Sequence, residues 1–212
     1  RVEPSSIFMR YNVFEENTWN KYNNFNLFKN YMLTNNIKHY NSKYKYSEVK
    51  KLYNLKIAEK YNLNIPRTVY ALKHSNEDMI VKPLMGGSHA SEGNEAIHPC
   101  IIQQKIKGIN KRLFIIKNKT FCFDIITDYL DYRDDDNSIV QESNMDKQTI
   151  KDSKKLARKL NLDFCALDFI NDGDKNWFLE INTMPMFSAF NEYTNNQLSK
   201  TIYEELQWQQ EQ

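Results

Sequence analysis

The sequence predicts an α+β fold, and three features carry that reading. Leu162 to Ile170 and Trp177 to Asn182 are apolar runs joined by the polar turn Asn171-Asp172-Gly173-Asp174-Lys175-Asn176, the pattern of a β-hairpin. Further strand-like runs occupy 67–72, 78–84, 99–106, 113–117 and 120–127. Ser47 to Asn62 and Ser143 to Leu160 instead place apolar residues at helical spacing.

In chain order, Ser6 to Tyr11 reads as a strand and Trp19 to Leu33 as a helix with one apolar face. Ser47 is the expected N-cap of the next helix, whose stripe is Val49, Leu52, Leu55, Ile57 and Ala58. Lys50 and Lys51 fall in its first turn, and Ile65-Pro66 forces the chain to extend after it. Ile80-Val81-Lys82-Pro83 ends a strand and leads into Gly86-Gly87-Ser88. A lysine at a strand end supplies a point charge, and glycines let backbone N–H groups approach an anion. The order is not that of a P-loop, in which the lysine follows the glycines. His89 to His98 continues as a polar loop. Cys100 to Ile106 is a strand closed by Lys107-Gly108, Arg112 opens the next, Asn118-Lys119 forms a tight turn, and Thr120 to Thr127 alternates as a further strand. Asp134 to Asp136 reads as a solvated loop, Ser143 to Leu160 as a helix, and Asn195 to Trp208 as a terminal helix.

The bulk numbers exclude several classes. A chain of 212 residues with 41% hydrophobic and 13% aromatic residues can bury a real core. A formal charge of +2 argues against a general nucleic-acid binder. No run is apolar enough to span a membrane, and Arg1-Val2-Glu3-Pro4 does not begin a signal peptide. Cys100, Cys122 and Cys165 are an odd set without metal-ligand spacing, expected as buried free thiols in a cytoplasmic protein. The four histidines show no ligand spacing and read as structural or surface residues.

The hairpin carries the chemistry. Asp168 sits in its first strand, while Glu180 and Asn182 are two apart in the second and share a face. Paired strands would converge these three oxygen groups. Clustered carboxylates cost free energy unless a positive charge compensates, and a hard divalent cation such as Mg2+ suits oxygen ligands and phosphates. An exposed hairpin with its acids in water is the competing reading, and the hairpin alone leaves both open.

The order of the pieces narrows the choice. A lysine on a helix, a lysine on a strand before a glycine loop, Cys100-Ile101-Ile102-Gln103-Gln104, Arg112-Leu113-Phe114-Ile115, then Asp168 and Glu180-x-Asn182 together resemble the ATP-grasp superfamily over roughly residues 45 to 205. The resemblance is closest to RimK-type glutamate ligases and to the ligases that macrocyclise microviridin-like peptides (graspetides). Ile7-Phe8-Met9-Arg10 is similar to a strand of that family's front domain, and Asp131-Tyr132-Arg133 to the Asp-x-Arg element of the peptide-macrocyclising branch.

The resemblance implies a fold of two α+β subdomains gripping a nucleotide, with a truncated pre-grasp segment at 1–45. The ATP-grasp domain would run over 46–212, divided at residue 106 into a small and a large subdomain. It implies ATP with one or two Mg2+ ions (or Mn2+). Lys51 and Lys82 would neutralise phosphates, and Gly86, Gly87 and Ser88 would close over them. Gln103, Gln104, Lys105 and Ile106 would hold the adenine, with apolar neighbours such as Leu179. Asp168, Glu180 and Asn182 would hold the metal, Arg112 with Lys82 would stabilise the transferred phosphoryl group, and Asp131 and Arg133 would meet a peptide. The implied reaction activates a carboxylate as an acyl phosphate, which an amine or hydroxyl then attacks to form an amide or ester. The expected partners are a peptide or amino-acid carboxylate and a second copy in a homodimer, with no nucleic acid and no membrane. Maturation of a ribosomal peptide is the first reading. A RimK-type ligase for a small amino acid and a non-catalytic nucleotide- or peptide-binding module are the alternatives.

Three departures stand out. Gln104 occupies the hinge position where an acid is usual, the front segment is short, and Met184 and Met186 are bulkier than the residues common after the Asn.

Overall fold

The computed structural model describes residues 27–44, 51–71, 79–83, 91–92 and 100–207. The expected strand at 6–11, the start of the first helix, Ser47 with Lys50, and Gly86-Gly87-Ser88 lie outside them. Helix α1 covers 27–34 and α2 Lys51–Lys60. Four strands then form one antiparallel sheet: β1 Thr68–Ala71, β2 Met79–Pro83, β3 Ser91–Glu92 and β4 Cys100–Gln104, in the order β1-β4-β2-β3. A five-stranded antiparallel sheet follows from β5 Ile109–Ile116, β6 Lys119–Ile126, β7 Ile139–Ser143, β8 Phe164–Asn171 and β9 Asn176–Asn182, in the order β7-β6-β5-β8-β9. Helices α3 Lys147–Lys159, α4 Ser188–Asn191 and α5 Gln197–Gln207 complete the described elements.

Alternation along the strands of the larger sheet divides the core in two. Leu113, Ile115, Cys165, Leu167 and Phe169 face Leu55 and Ala58 of α2 and Leu156, Ala157 and Leu160 near α3. Phe114, Ile116, Phe164 and Ala166 face the other way, with Phe123 and Ile125, onto Phe190, Leu198 and Ile202 of α4 and α5. Both faces of the sheet are therefore covered, which is why β5 and β8 read as continuous apolar runs. All three cysteines are buried and outside any disulfide, as expected. His39 is buried, with Nδ1 2.9 Å from the Tyr40 carbonyl, so it is structural.

Several boundaries differ from the sequence reading. Arg112 does not open a strand: β5 begins at Ile109, which pairs with Asn171. Gly108 permits that start, since a Cβ there would lie 2.1 Å from the Asn171 carbonyl oxygen. The tight turn is Lys117-Asn118, with Lys117 at φ 51°, and Lys119 already pairs with Ile116. Ser143 ends β7 rather than starting a helix, and Asp146 caps α3 by accepting from the Thr149 N–H at 2.8 Å. The polar stretch after Gly-Gly-Ser is not all loop, because Ser91 and Glu92 pair back onto Val81 and Ile80. Asp135 is not merely solvated: it accepts from the Thr127 hydroxyl at 2.5 Å and the Asn137 N–H at 3.0 Å, tying both ends of the 127–137 loop.

The segment 37–44 is bound to the larger sheet. The Tyr40 hydroxyl donates to the Ile202 carbonyl at 2.7 Å. Asn41, at φ 57°, uses its whole amide. Its Nδ2 donates to the carbonyls of Phe164 (2.8 Å) and Thr183 (3.0 Å), and its Oδ1 accepts from the N–H groups of Asp163 (2.7 Å) and Phe164 (2.9 Å). Asn41→Gly preserves the left-handed backbone and removes all four bonds, and should lower stability by about 2 kcal/mol or more in urea unfolding. A loss within about 0.5 kcal/mol would show that this segment does not hold the hairpin.

Candidate active site

Register builds the site. Asp168 on β8 lies directly opposite Arg112 on β5 and directly opposite Glu180 on β9, so one row across three strands reads Arg–Asp–Glu. A β-bulge follows at once: Asp168 pairs with Glu180, but Phe169 pairs with Phe178, leaving Leu179 as the extra residue. The bulge lets Phe178 bury beside Phe169 while Glu180, two residues on, stays on the opposite face. Asn182 follows Glu180 by two and shares its face, and its Oδ1 accepts from the Met184 N–H at 3.0 Å.

Lysines complete the charge pattern. The first residue of α2 brings the Lys51 Nζ to 3.7 Å from Glu180 Oε2. β2 of the smaller sheet supplies Lys82, whose Nζ donates to Gln103 Oε1 at 2.8 Å. Gln103 Nε2 in turn donates to the Thr68 hydroxyl at 3.0 Å, and that hydroxyl donates to the Pro66 carbonyl at 2.7 Å. Burial lowers the Lys82 pKa, while the nearby Glu180 and Asp168 pull it back toward the charged form.

These residues line one cleft of about 430 Å³. It takes in Lys51, Lys82, Gln103, Gln104, Lys105, Ile106, Arg112, Asp131, Arg133, Asp168, Leu179, Glu180 and Asn182, which is every sequence-derived site residue among those described. Ile80, Ile106, Ile170 and Leu179 give it an apolar part. The sequence reading missed Tyr132, Gly108, Asn110 and the 127–130 loop, which also line it. Only the aromatic residue between Asp131 and Arg133 could have drawn attention to Tyr132.

Arg112 is 5% exposed, with Nη1 3.6 Å from Asp168 Oδ1 and 2.6 Å from the Tyr132 hydroxyl, to which it donates. Its guanidinium lies over Phe114 and Phe190, 5.5 and 5.3 Å from the ring centroids. Burial works against its charge, but Asp168, Tyr132 and Glu180 outweigh that and raise its pKa. Asp131 caps the one-turn 3-10 helix Tyr132–Asp134 and holds Arg133: the Arg133 Nε donates to both Asp131 oxygens, at 2.8 and 3.1 Å, and Nη2 adds a third contact.

Asp168 is pushed up to about 6 by burial, with Glu180 adding repulsion and Arg112 opposing. Among the described residues no three His, Cys, Asp or Glu side chains form a metal cluster; the oxygen groups here are two carboxylates and one amide. That set suits a hard cation that keeps other positions for phosphate or water. The Nε of Arg112, buried without a partner among the described residues, is a donor that an anion would satisfy. The residues therefore fit a metal–polyphosphate group: carboxylates for the ion, three cations for the phosphates.

No protein-family model and no curated protein matches the chain. Solved structures do. The ATP-grasp ligase PsnB, in a complex with a minimal precursor, superposes with a TM-score of 0.75 at 17% identity, over 95% of this chain and 79% of that one. A RiPP-associated ATP-grasp ligase from Chryseobacterium gregarium, in complex with ADP and a leader and core peptide, gives 0.73 at 19% identity, over 95% and 76%. D-alanine–D-alanine ligase from Bacillus anthracis, complexed with ATP, gives 0.61 at 15% identity, over 87% and 75%. The chain has the ATP-grasp fold.

Since Asp168 is protonated below its raised pKa, its negative charge is lost as pH falls through about 6. The folded state binds this proton more tightly than the unfolded chain, so the contribution of this group to stability rises as pH drops from above 6 toward 4. A side-chain carbon NMR titration should place the midpoint near 6, and added Mn2+ or Mg2+ should broaden or lower it. A midpoint at the ordinary carboxylate value would contradict this electrostatic account.

Proposed function

We propose that the chain is an ATP-dependent carboxylate ligase acting on a peptide. The observation that carries this reading is the row Arg112–Asp168–Glu180 facing Lys82 and Lys51 across a single cleft. Lys51 and Lys82 bind the phosphates, and Asp168, Glu180 and Asn182 hold Mg2+, which when bound draws charge from the phosphate oxygens. Ile80, Ile106, Ile170 and Leu179 would supply an apolar seat for the adenine, and the Gln104–Ile106 backbone would supply its polar partners.

The substrate carboxylate attacks the γ-phosphorus of ATP, and ADP leaves, giving an acyl phosphate. Arg112 stabilises the charge on the transferring group. An amine or hydroxyl then attacks the acyl carbon, phosphate leaves, and the nucleophile's proton passes to solvent or to that phosphate. No protein nucleophile is required. Asp131 and Arg133 line the same cleft, and an acidic side chain of the substrate would meet the guanidinium there. The PsnB and C. gregarium complexes, which contain precursor or leader and core peptides, favour a peptide substrate. The likeness to a D-alanine–D-alanine ligase supports the second reading, a ligase for a free amino acid.

ADP release should require Mg2+ and an acidic peptide, and Glu180→Gln should lower kcat by about a hundredfold or more. Full turnover by Glu180→Gln would remove the metal assignment. Arg133→Ala should raise the peptide KM by about tenfold and leave the MgATP KM within twofold. Turnover on free glutamate or aspartate, with none on peptides, would select the second reading. MgATP binding without turnover on any carboxylate would select a non-catalytic module.

A further inference from the structure

We infer that Tyr132 is a positioning residue that couples the peptide-side pair Asp131/Arg133 to the phosphate-side Arg112. This rests on the ligase reading above.

Arg112 is anchored unevenly. Its guanidinium is buried over two aromatic rings, its Nε has no partner among the described residues, and its approach to Asp168 at 3.6 Å is too long for a hydrogen bond. Its short directional contact is the 2.6 Å bond from Nη1 to the Tyr132 hydroxyl. A cation held by rings and a distant carboxylate can rotate in its plane, whereas one short hydrogen bond fixes the azimuth of the fork.

Tyr132 is itself fixed at both ends. Its ring packs against the cluster containing Phe114, Phe123 and Phe190. Its backbone lies in the turn that Asp131 caps: Asp131 accepts from the Arg133 N–H at 3.0 Å, and the Asp135 N–H donates to the Tyr132 carbonyl at 3.2 Å. The same carboxylate therefore orders the turn and grips Arg133. A substrate acid that draws on Arg133 perturbs the Asp131 cap, and through it the hydroxyl that aims Arg112. The state of the Asp131/Arg133 pair thus bears on the aim of Arg112 during phosphoryl transfer.

Tyr132→Phe is the test, since it keeps the packed ring and deletes only the hydroxyl. The expected result is a fall in kcat of about tenfold or more with an acidic peptide, with the MgATP KM and the MgADP affinity by calorimetry within about twofold of wild type. The effects of Tyr132→Phe and Arg133→Ala on kcat/KM should be non-additive, because both act through one strap. A kcat within twofold of wild type, or strict additivity, overturns the assignment. Nitrogen NMR of the Arg112 side chain separates this failure from failure of the ligase reading. If wild type releases no ADP with any carboxylate, the ligase reading is wrong. The tyrosine assignment is then judged on rotation of the Arg112 guanidinium: slow in wild type and fast in Tyr132→Phe supports it, and identical rates in both overturn it.

Discussion

The antiparallel register of three strands fixes the candidate site, because it sets Arg112, Asp168 and Glu180 in one row. A slip of one residue in either pairing would send the acids or the arginine to the opposite face, into the apolar layer under α2 and α3. The apolar residues beside them make such a slip expensive. Leu167 and Phe169 flank Asp168 on β8 and are fully buried, and Leu113 and Phe114 follow Arg112 on β5 and pack on opposite faces. Charge placement is thus enforced by hydrophobic alternation. The bulge at Leu179 adjusts β9 so that Phe178 and Ile181 bury on one side while Glu180 and Asn182 stay on the other.

That arrangement is not built for stability. A buried ion pair roughly offsets its own desolvation only with close, well-formed contacts, and the Arg112–Asp168 approach of 3.6 Å is far from the short geometry of a charge-assisted hydrogen bond. Asp168 is left with a raised pKa, and Lys82 with a lowered one. Stability resides in the two apolar layers on either face of the five-stranded sheet, and in ties such as Asn41 that hold the front segment to β8. Opposite charges kept close but not fully paired suit a guest that carries both signs, and a metal–nucleotide complex does.

Much of this was legible in the sequence because it follows from parity and order. Glu180-x-Asn182 announces a shared face, Asp168 an acid inside an apolar strand, and Lys82 before Gly-Gly a lysine of the site. The structure brings these residues together with Lys51, Arg112 and the 103–106 segment in one cleft. What was hidden depends on distance in the chain or on weak pattern. β7 is an edge strand whose residues are largely exposed, so it lacks an apolar rhythm, and its last residue, Ser143, reads from sequence as a helix start. The bulge left only a faint trace, the three-residue spacing of Phe178 and Ile181. The Arg112–Tyr132 bond joins residues twenty apart through a one-turn helix, and no local periodicity encodes it.

The central claim is that the carboxylates of β8 and β9 hold a metal ion against a nucleotide whose phosphates meet Lys51, Lys82 and Arg112. A crystal structure with ADP and Mn2+, read from the manganese anomalous signal, tests it most directly. The account predicts an anomalous peak about 2.2 Å from oxygens of both Asp168 and Glu180, with the ADP phosphates on its far side. Manganese elsewhere, or ADP bound outside this cleft, would contradict it.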